Sequence, residues 1–306
     1  MTKVSNLSSA DKLMNLIGKN LGSESIKQKA PTGSTSTQKA SSGTSQTNNA
    51  KLTSQANASG INVQTVFDPS GPSILQRANK RKQIQEARKQ HNIERIFALA
   101  LNYNLDTQNE ENIDPDWFNH FITLAEQISS PAMQELWAKI LVGELSFPGT
   151  FSYKSLQLLK QMTLKEANSF QHVCKLICKT KRDKGGKVIF GYYRKPSLFN
   201  LLNPKSKNVM NLSKFGFPYT DLLTLSEVGL LYQSEIESGE IDQKEGLVLH
   251  FATSTLALKP KSNGLVLTYF KLTQTGYELS KLLRPSVNQR YLDELKQMLE
   301  EVFKVS

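Results

Sequence analysis

Residues 77–101 read RANKRKQIQEARKQHNIERIFALAL. In the second half of that stretch Ile93, Ile96, Phe97, Ala100 and Leu101 fall at i, i+3, i+4, i+7 and i+8. That unbroken apolar stripe predicts an amphipathic helix with one face in a core. From Asn79 onward the pattern is helical, and extended backwards the same helix presents Arg77, Lys80, Arg81, Lys82, Arg88 and Lys89. One helix therefore carries a core-seeking half and a strongly basic half.

Working outward from it, the next segments are also helical. Asp114-Pro115-Asp116-Trp117 reads as a helix start, with Asp114 as cap, Pro115 in the first turn and Asp116 at the positive end of the dipole. Trp117, Phe121, Leu124, Ala125 and Ile128 form its apolar face. Ser130-Pro131 opens a further helix with Met133, Leu136, Trp137, Ile140 and Leu141 on one stripe, ending near Gly143. Phe147-Pro148-Gly149 is a break, and a helix over about 155–162 follows. Thr163-Leu164-Lys165-Glu166 has capping-box spacing and opens a helix whose face includes Ala167, Phe170, Cys174, Ile177 and Cys178.

The motifs of this half resemble a known family. They are the run from Ala87 through Glu94, then Asp116-Trp117-Phe118, Phe121 and Ile128-Ser129, the stretch from Met133 to Glu144, and Pro148-Gly149-Thr150-Phe151-Ser152. Together they are similar to the bacterial family called domain of unknown function 2806. The likeness is good over about 86–178 and looser toward the C-terminus, and the tail before residue 77 does not follow the pattern. It implies a bacterial cytoplasmic protein with a shared helical domain, and it implies no catalytic residue.

Past Lys179 the texture turns to β. Residues 187–193 (KVIFGYY) follow a Gly185-Gly186 turn and predict a hairpin strand. Residues 247–258 and 265–272 are two further strand candidates, and residues 219–228 read as a helix ending at Gly229. Leu272-Thr273-Gln274-Thr275-Gly276-Tyr277-Glu278-Leu279 passes from strand to helix with Thr273 as the cap. This order loosely resembles a winged helix. The helix that would read DNA, 219–228, carries Asp221 and Glu227 and neither Lys nor Arg, so it is not expected to read sequence. A last helix, 287–303, sets Tyr291, Leu295, Met298, Leu299 and Val302 on one face, for its own domain, for a protein partner or for a second copy of the chain.

The fold class expected is α+β: a mainly helical domain at 77–180, then a winged-helix-like α+β domain at 181–306. A low-complexity tether at 22–62 and a short amphipathic segment at 1–21 precede them. Residues 22–60 are almost wholly small and polar with no aromatic, too little apolar area to offset chain ordering. Before them, Leu13, Leu16, Ile17 and Leu21 recur at helical spacing, which suits a terminal helix, a tethered peptide or a surface-bound segment alike.

Composition excludes several function classes. The 306 residues hold only 2 Cys, which is no disulfide framework and fits a reducing cytosol. No apolar run is long enough to span a membrane, and the first residues lack a secretory pattern. The net charge of +11 is unevenly spread. Residues 77–95 hold 7 basic and 2 acidic side chains and residues 175–214 hold 11 and 1, whereas residues 215–306 hold 9 and 12. Lys184-Gly185-Gly186-Lys187 lacks the spacing of a phosphate loop and reads as a turn. His172, Cys174 and Cys178 lack a fourth ligand, so the cysteines read as core residues and no metal or cofactor is expected.

The basic clusters are what remains. Arg77, Lys80, Arg81, Lys82, Arg88 and Lys89, with Lys181, Arg182, Lys187, Arg194 and Lys195, are the residues expected to meet nucleic-acid phosphates without regard to sequence. The function expected is a non-enzymatic interaction or regulatory module. The alternative is an enzyme with a dispersed active site, whose mark would be a deep polar pocket with adjacent titratable groups.

Overall fold

The helix predicted from residues 77–101 is α1, Ile74–Leu101, in the computed structural model, which describes residues 53–61, 71–103, 113–183, 185–195, 207–283 and 286–306. The amphipathic segment expected at 1–21 and most of the tether lie outside the described residues. The tether's end does not: residues 53–58 are helical and close with a turn at Gly60. α1 begins five residues before the periodicity does because Ser73 caps it. The Ser73 hydroxyl accepts from the Gln76 backbone N–H and the Gln76 side-chain Oε1 accepts from the Ser73 N–H, a full capping box.

The chain divides into two compact units, ending and beginning at Ser146 and Phe147. In the first, α1 is joined by α2 (Pro115–Ala125) and α3 (Pro131–Ser146). Asp114 caps α2 as expected, accepting from the Asp116 N–H at 2.9 Å. α3 does not stop at Gly143 but runs on to Ser146. The core follows the expected stripes in part: Ile93, Ile96, Phe97 and Ala100 of α1, Trp117 and Phe121 of α2 and Trp137, Ile140 and Leu141 of α3 are buried and Phe118 joins them, whereas Leu101 is exposed and Leu124, Met133 and Leu136 are only half-buried. Trp117 stacks on Phe121 at 5.4 Å between ring centroids, and Phe121 lies 5.2 Å from Trp137. Burying these rings in contact supplies area and geometry together. Of the buried polar side chains of this unit, Asn92 donates to the Glu126 carbonyl, Gln134 donates to Asn92 and to the Ile128 carbonyl, and the Ser146 hydroxyl donates to the Val142 carbonyl.

The helices α4 (Tyr153–Gln161) and α5 (Leu164–Cys174), expected in the helical domain, belong to the second unit. A carboxylate 120 residues downstream explains it. Glu278, on α7 (Gln274–Ser280), accepts from the Ser152 N–H and hydroxyl, both at 2.8 Å, and from the Ser155 hydroxyl at 2.5 Å. An anion thereby caps α4 from another helix. Burial pushes the Glu278 carboxyl up, but these hydrogen bonds and that of Gln274 outweigh it and hold it below the ordinary value. A carboxyl depressed in the folded state contributes stability above its unfolded pKa and loses it as pH falls through the folded value. Glu278→Ala is therefore expected to cost roughly 1–3 kcal/mol near neutral pH by orphaning buried donors, and to flatten the loss of stability on acidification below about pH 4. Chemical denaturation across pH checks both; an unchanged acid limb would contradict this role.

The second unit holds two antiparallel sheets. In the first the strand order is β2 (Lys207–Val209), β1 (Lys187–Arg194), β6 (Leu265–Lys271), β3 (Ile236–Glu240). In the second it is β4 (Leu247–His250), β5 (Thr255–Pro260), β7 (Phe303–Val305). The strand expected over 247–258 is thus two strands, turned back on each other between Phe251 and Ser254, where the Phe251 N–H donates to the Ser254 carbonyl. Cys178 is not on a helix either. α5 ends at Cys174, and Cys178 pairs with Lys187 as an extended bridge. Both cysteines are buried; burial pushes the Cys178 thiol up to about 12 and the Cys174 thiol higher, so neither is a thiolate near neutral pH.

α6 (Tyr219–Glu227) ends, as expected, at Gly229 with φ +81°. Thr273 caps α7, accepting from the Gly276 N–H. The last helix is shorter than expected, α8 being Gln289–Glu300, and Phe303 leaves it for β7. Its apolar face, weighed above as a surface for a second copy over 287–303, is spent internally: Tyr291, Leu295 and Leu299 are fully buried and the Tyr291 hydroxyl donates to the Ile189 carbonyl. Among the described residues no helix is long and apolar enough to cross a membrane.

Candidate nucleic-acid interface

α1 keeps its apolar stripe for the last three turns and leaves the rest to solvent. Its buried residues begin at Asn92, and none of residues 74–91 is buried. Ile74 and Leu75 are among the most exposed large apolar side chains described. A helix that is polar all round gains little from tertiary burial, so here the capping box at Ser73 and continuity with the packed half hold it.

The six basic residues expected on α1 all lie on this exposed stretch. At 100° per residue, Arg77, Arg81 and Arg88 fall within about 40° of one another, and Arg95, also exposed, completes the line. Arg95, counted in the basic stretch 77–95 but not among the named phosphate contacts, thus joins them by its spacing i, i+4, i+11, i+18 from Arg77. The Arg77 guanidinium donates to the Pro72 carbonyl at 2.7 Å and that of Arg88 to the Ala58 carbonyl at 2.6 Å. These partners are neutral, so both cations keep their charge for a ligand. The 53–61 turn lies against the same line. A Cβ on Gly60, whose φ is +76°, would come within 3.0 Å of the Arg81 backbone. Lys82 and Lys89 project from another side. Lys89 pairs with Glu86 at 3.3 Å and Glu126 at 3.2 Å, and these bonds raise its pKa. Lys80, Arg81 and Lys82 form no ion pair with an acidic side chain among the described residues.

The second basic cluster is withdrawn only in part. Lys187 is a correction: it is buried, its ammonium 2.8 Å from Asp183, and cannot meet a phosphate. Asp183 bridges it to Lys271, also at 2.8 Å. Partial burial pushes the Asp183 carboxyl up, but the two ammonium groups and the Gly185 N–H hold it well below the ordinary carboxylate range. Arg182 pairs with Glu245 at 2.5 Å, and Lys207 pairs with Glu235. Lys181, Arg194 and Lys195 remain exposed, in the second unit rather than with α1.

That unit also holds a cavity of about 240 Å³ lined by Asp183, Lys187, Glu240, Asp242, Glu245 and Tyr269 among others. Its carboxylates are engaged: Asp183 as above, Glu245 by Arg182, Asp242 by the N–H groups of Lys244 and Glu245, and Glu240 by that of Gly264. A mainly apolar cleft of about 330 Å³ lies among Phe190, Met210, Leu212, Phe217, Leu222 and Phe270, with the paired Lys207 and Glu235 as its charged groups. Among the described residues no three His, Cys, Asp or Glu side chains stand where they could hold a metal ion.

Compared with known proteins, residues 76–296 match the model of a family described as protein of unknown function (DUF2806). No curated protein and no solved structure matches the chain.

Proposed function

Since the chain belongs to the DUF2806 family, which brings no activity with it, the function rests on the site, and we propose that the protein is a non-enzymatic module that binds nucleic acid through phosphates, irrespective of sequence. The observation that carries this is the exposed half of α1, where 7 basic side chains meet 2 acidic ones over residues 77–95 and four arginines share a line. Phosphate contacts by such residues release counterions and carry no base information. In the second unit, the antiparallel order β1–β6–β3, reached from α6, supports a winged-helix-like reading. Asp221 and Glu227 on α6, with no basic residue beside them, argue against that helix entering a groove. The buried thiols suit a reducing cytoplasm.

An enzyme with a dispersed site is the competing reading, and the cavity at Asp183 and Lys187 is where its chemistry would sit. The mutual engagement of the polar groups there leaves no evident general base, which favours the binding role. The test is direct. The full chain should bind two DNA duplexes of unrelated sequence with equal affinity at about 50 mM salt and release both by about 200–300 mM. No binding at low salt, or a hundredfold preference for one sequence, would contradict it.

A further inference from the structure

We propose that the ligand of this interface is a duplex, held along the arginine line of α1, and not a single strand. The inference rests on the phosphate-binding role just given and deepens it. Arg77, Arg81, Arg88 and Arg95 span 18 residues, about 27 Å of helix axis, on a segment with a packed C-terminal end and a capped N-terminal end. The cations are thus spaced along a stiff rod. A duplex is stiff over the same length and presents a phosphate about every 1.7 Å of axis, so the two can lie together with little ordering cost. A single strand would have to be straightened to follow the line.

Strands without secondary structure are usually held by stacking their bases on aromatic side chains, each contact contributing substantially. Neither 53–61 nor 71–91 contains a Phe, Tyr or Trp. Apart from exposed aliphatic residues such as Ile74 and Leu75, these segments offer charge and hydrogen bonds, and no aromatic ring on which a base could stack. All four cations on the line are arginine, whose planar fork can donate two hydrogen bonds to one phosphate. The lysines Lys82 and Lys89 stand more than about 80° away around the helix, on the side that carries Ile93, Ile96 and Ala100 in the next turns. The 53–61 turn touches the line itself, Ala58 at Arg88 and Gly60 at Arg81.

The test uses the full chain and fluorescence anisotropy with a 25-base-pair duplex and with one of its strands alone, at about 50 mM salt. The duplex should bind at least tenfold more tightly. Replacing the line (Arg77→Gln, Arg81→Gln, Arg88→Gln, Arg95→Gln) should weaken duplex binding by on the order of 10²-fold, with helical circular dichroism unchanged. Lys82→Gln with Lys89→Gln should cost no more than a few fold. Equal or tighter binding of the single strand would overturn the duplex inference while leaving the phosphate-binding role standing. Equal losses from the two sets of variants would overturn the line, and no binding to either nucleic acid would overturn the role itself.

Discussion

Trp137→Ala should destabilise the helical unit by about 3–5 kcal/mol, as large aromatic truncations in a core do. Trp137 is fully buried on α3 and in contact with Phe121, which stacks in turn on Trp117. The indole N–H has no hydrogen-bond partner, so the loss is one of packing: apolar area returned to water and a cavity that α1 and α2 cannot close. Because α1 is anchored through Ile93, Ile96, Phe97 and Ala100 on this core, the basic half should lose order with it. Chemical denaturation followed by tryptophan fluorescence (Trp117 remains) measures the change. A variant within about 0.5 kcal/mol of the parent would mean that α3 packs by another face.

Asp183→Ala should cost about 3 kcal/mol in the second unit. Removing one partner of a buried ion pair leaves the other charge unpaired, typically at 3–5 kcal/mol. The lower end applies because the Asp183 side chain is 37% exposed while that of Lys187 is 6% exposed. Asp183→Ala combined with Lys187→Met should recover most of the loss, since a well-packed apolar replacement avoids the desolvation cost altogether. Equal stability of the single and double variants would show that Lys187 does not depend on Asp183. Acidification acts on the same bridge. The Asp183 carboxyl is depressed in the folded state, so its contribution is complete above about pH 5 and declines only as pH falls toward the depressed value.

How far the sequence was legible depended on whether a signal was local. Helix starts were, because a cap needs only three or four residues: Asp114, Thr163 and Thr273 all cap where the sequence placed them. The apolar stripe of α1 and the core of α2 and α3 followed from period alone. The first turn and a half of α1 were less visible, since a polar helix has no stripe and the capping Ser73 sits six residues before Asn79. Cys178 continued the spacing of Phe170 and Cys174, yet pairing with Lys187 across a short turn took it out of the helix. The unit boundary was hidden because Glu278 draws Ser152 and Ser155 into the C-terminal unit across more than 120 residues. Lys187 looked like any surface lysine beside a glycine turn, and nothing near it signals Lys271, which completes the bridge at Asp183. On α1, by contrast, the arginine line needed only helical geometry, which aligns Arg95 with Arg77, Arg81 and Arg88.

The measurement that bears most directly on the binding role is the salt dependence of duplex affinity for the parent chain and for the four-arginine variant. Each phosphate neutralised contributes about −0.9 to the slope of log K against log salt concentration. Four arginines on the line and Lys80 beside it should therefore give the parent a slope of about −4.5, and the variant, left with Lys80 alone, a slope near −1. Parallel slopes for the two proteins would show that α1 does not meet the phosphates.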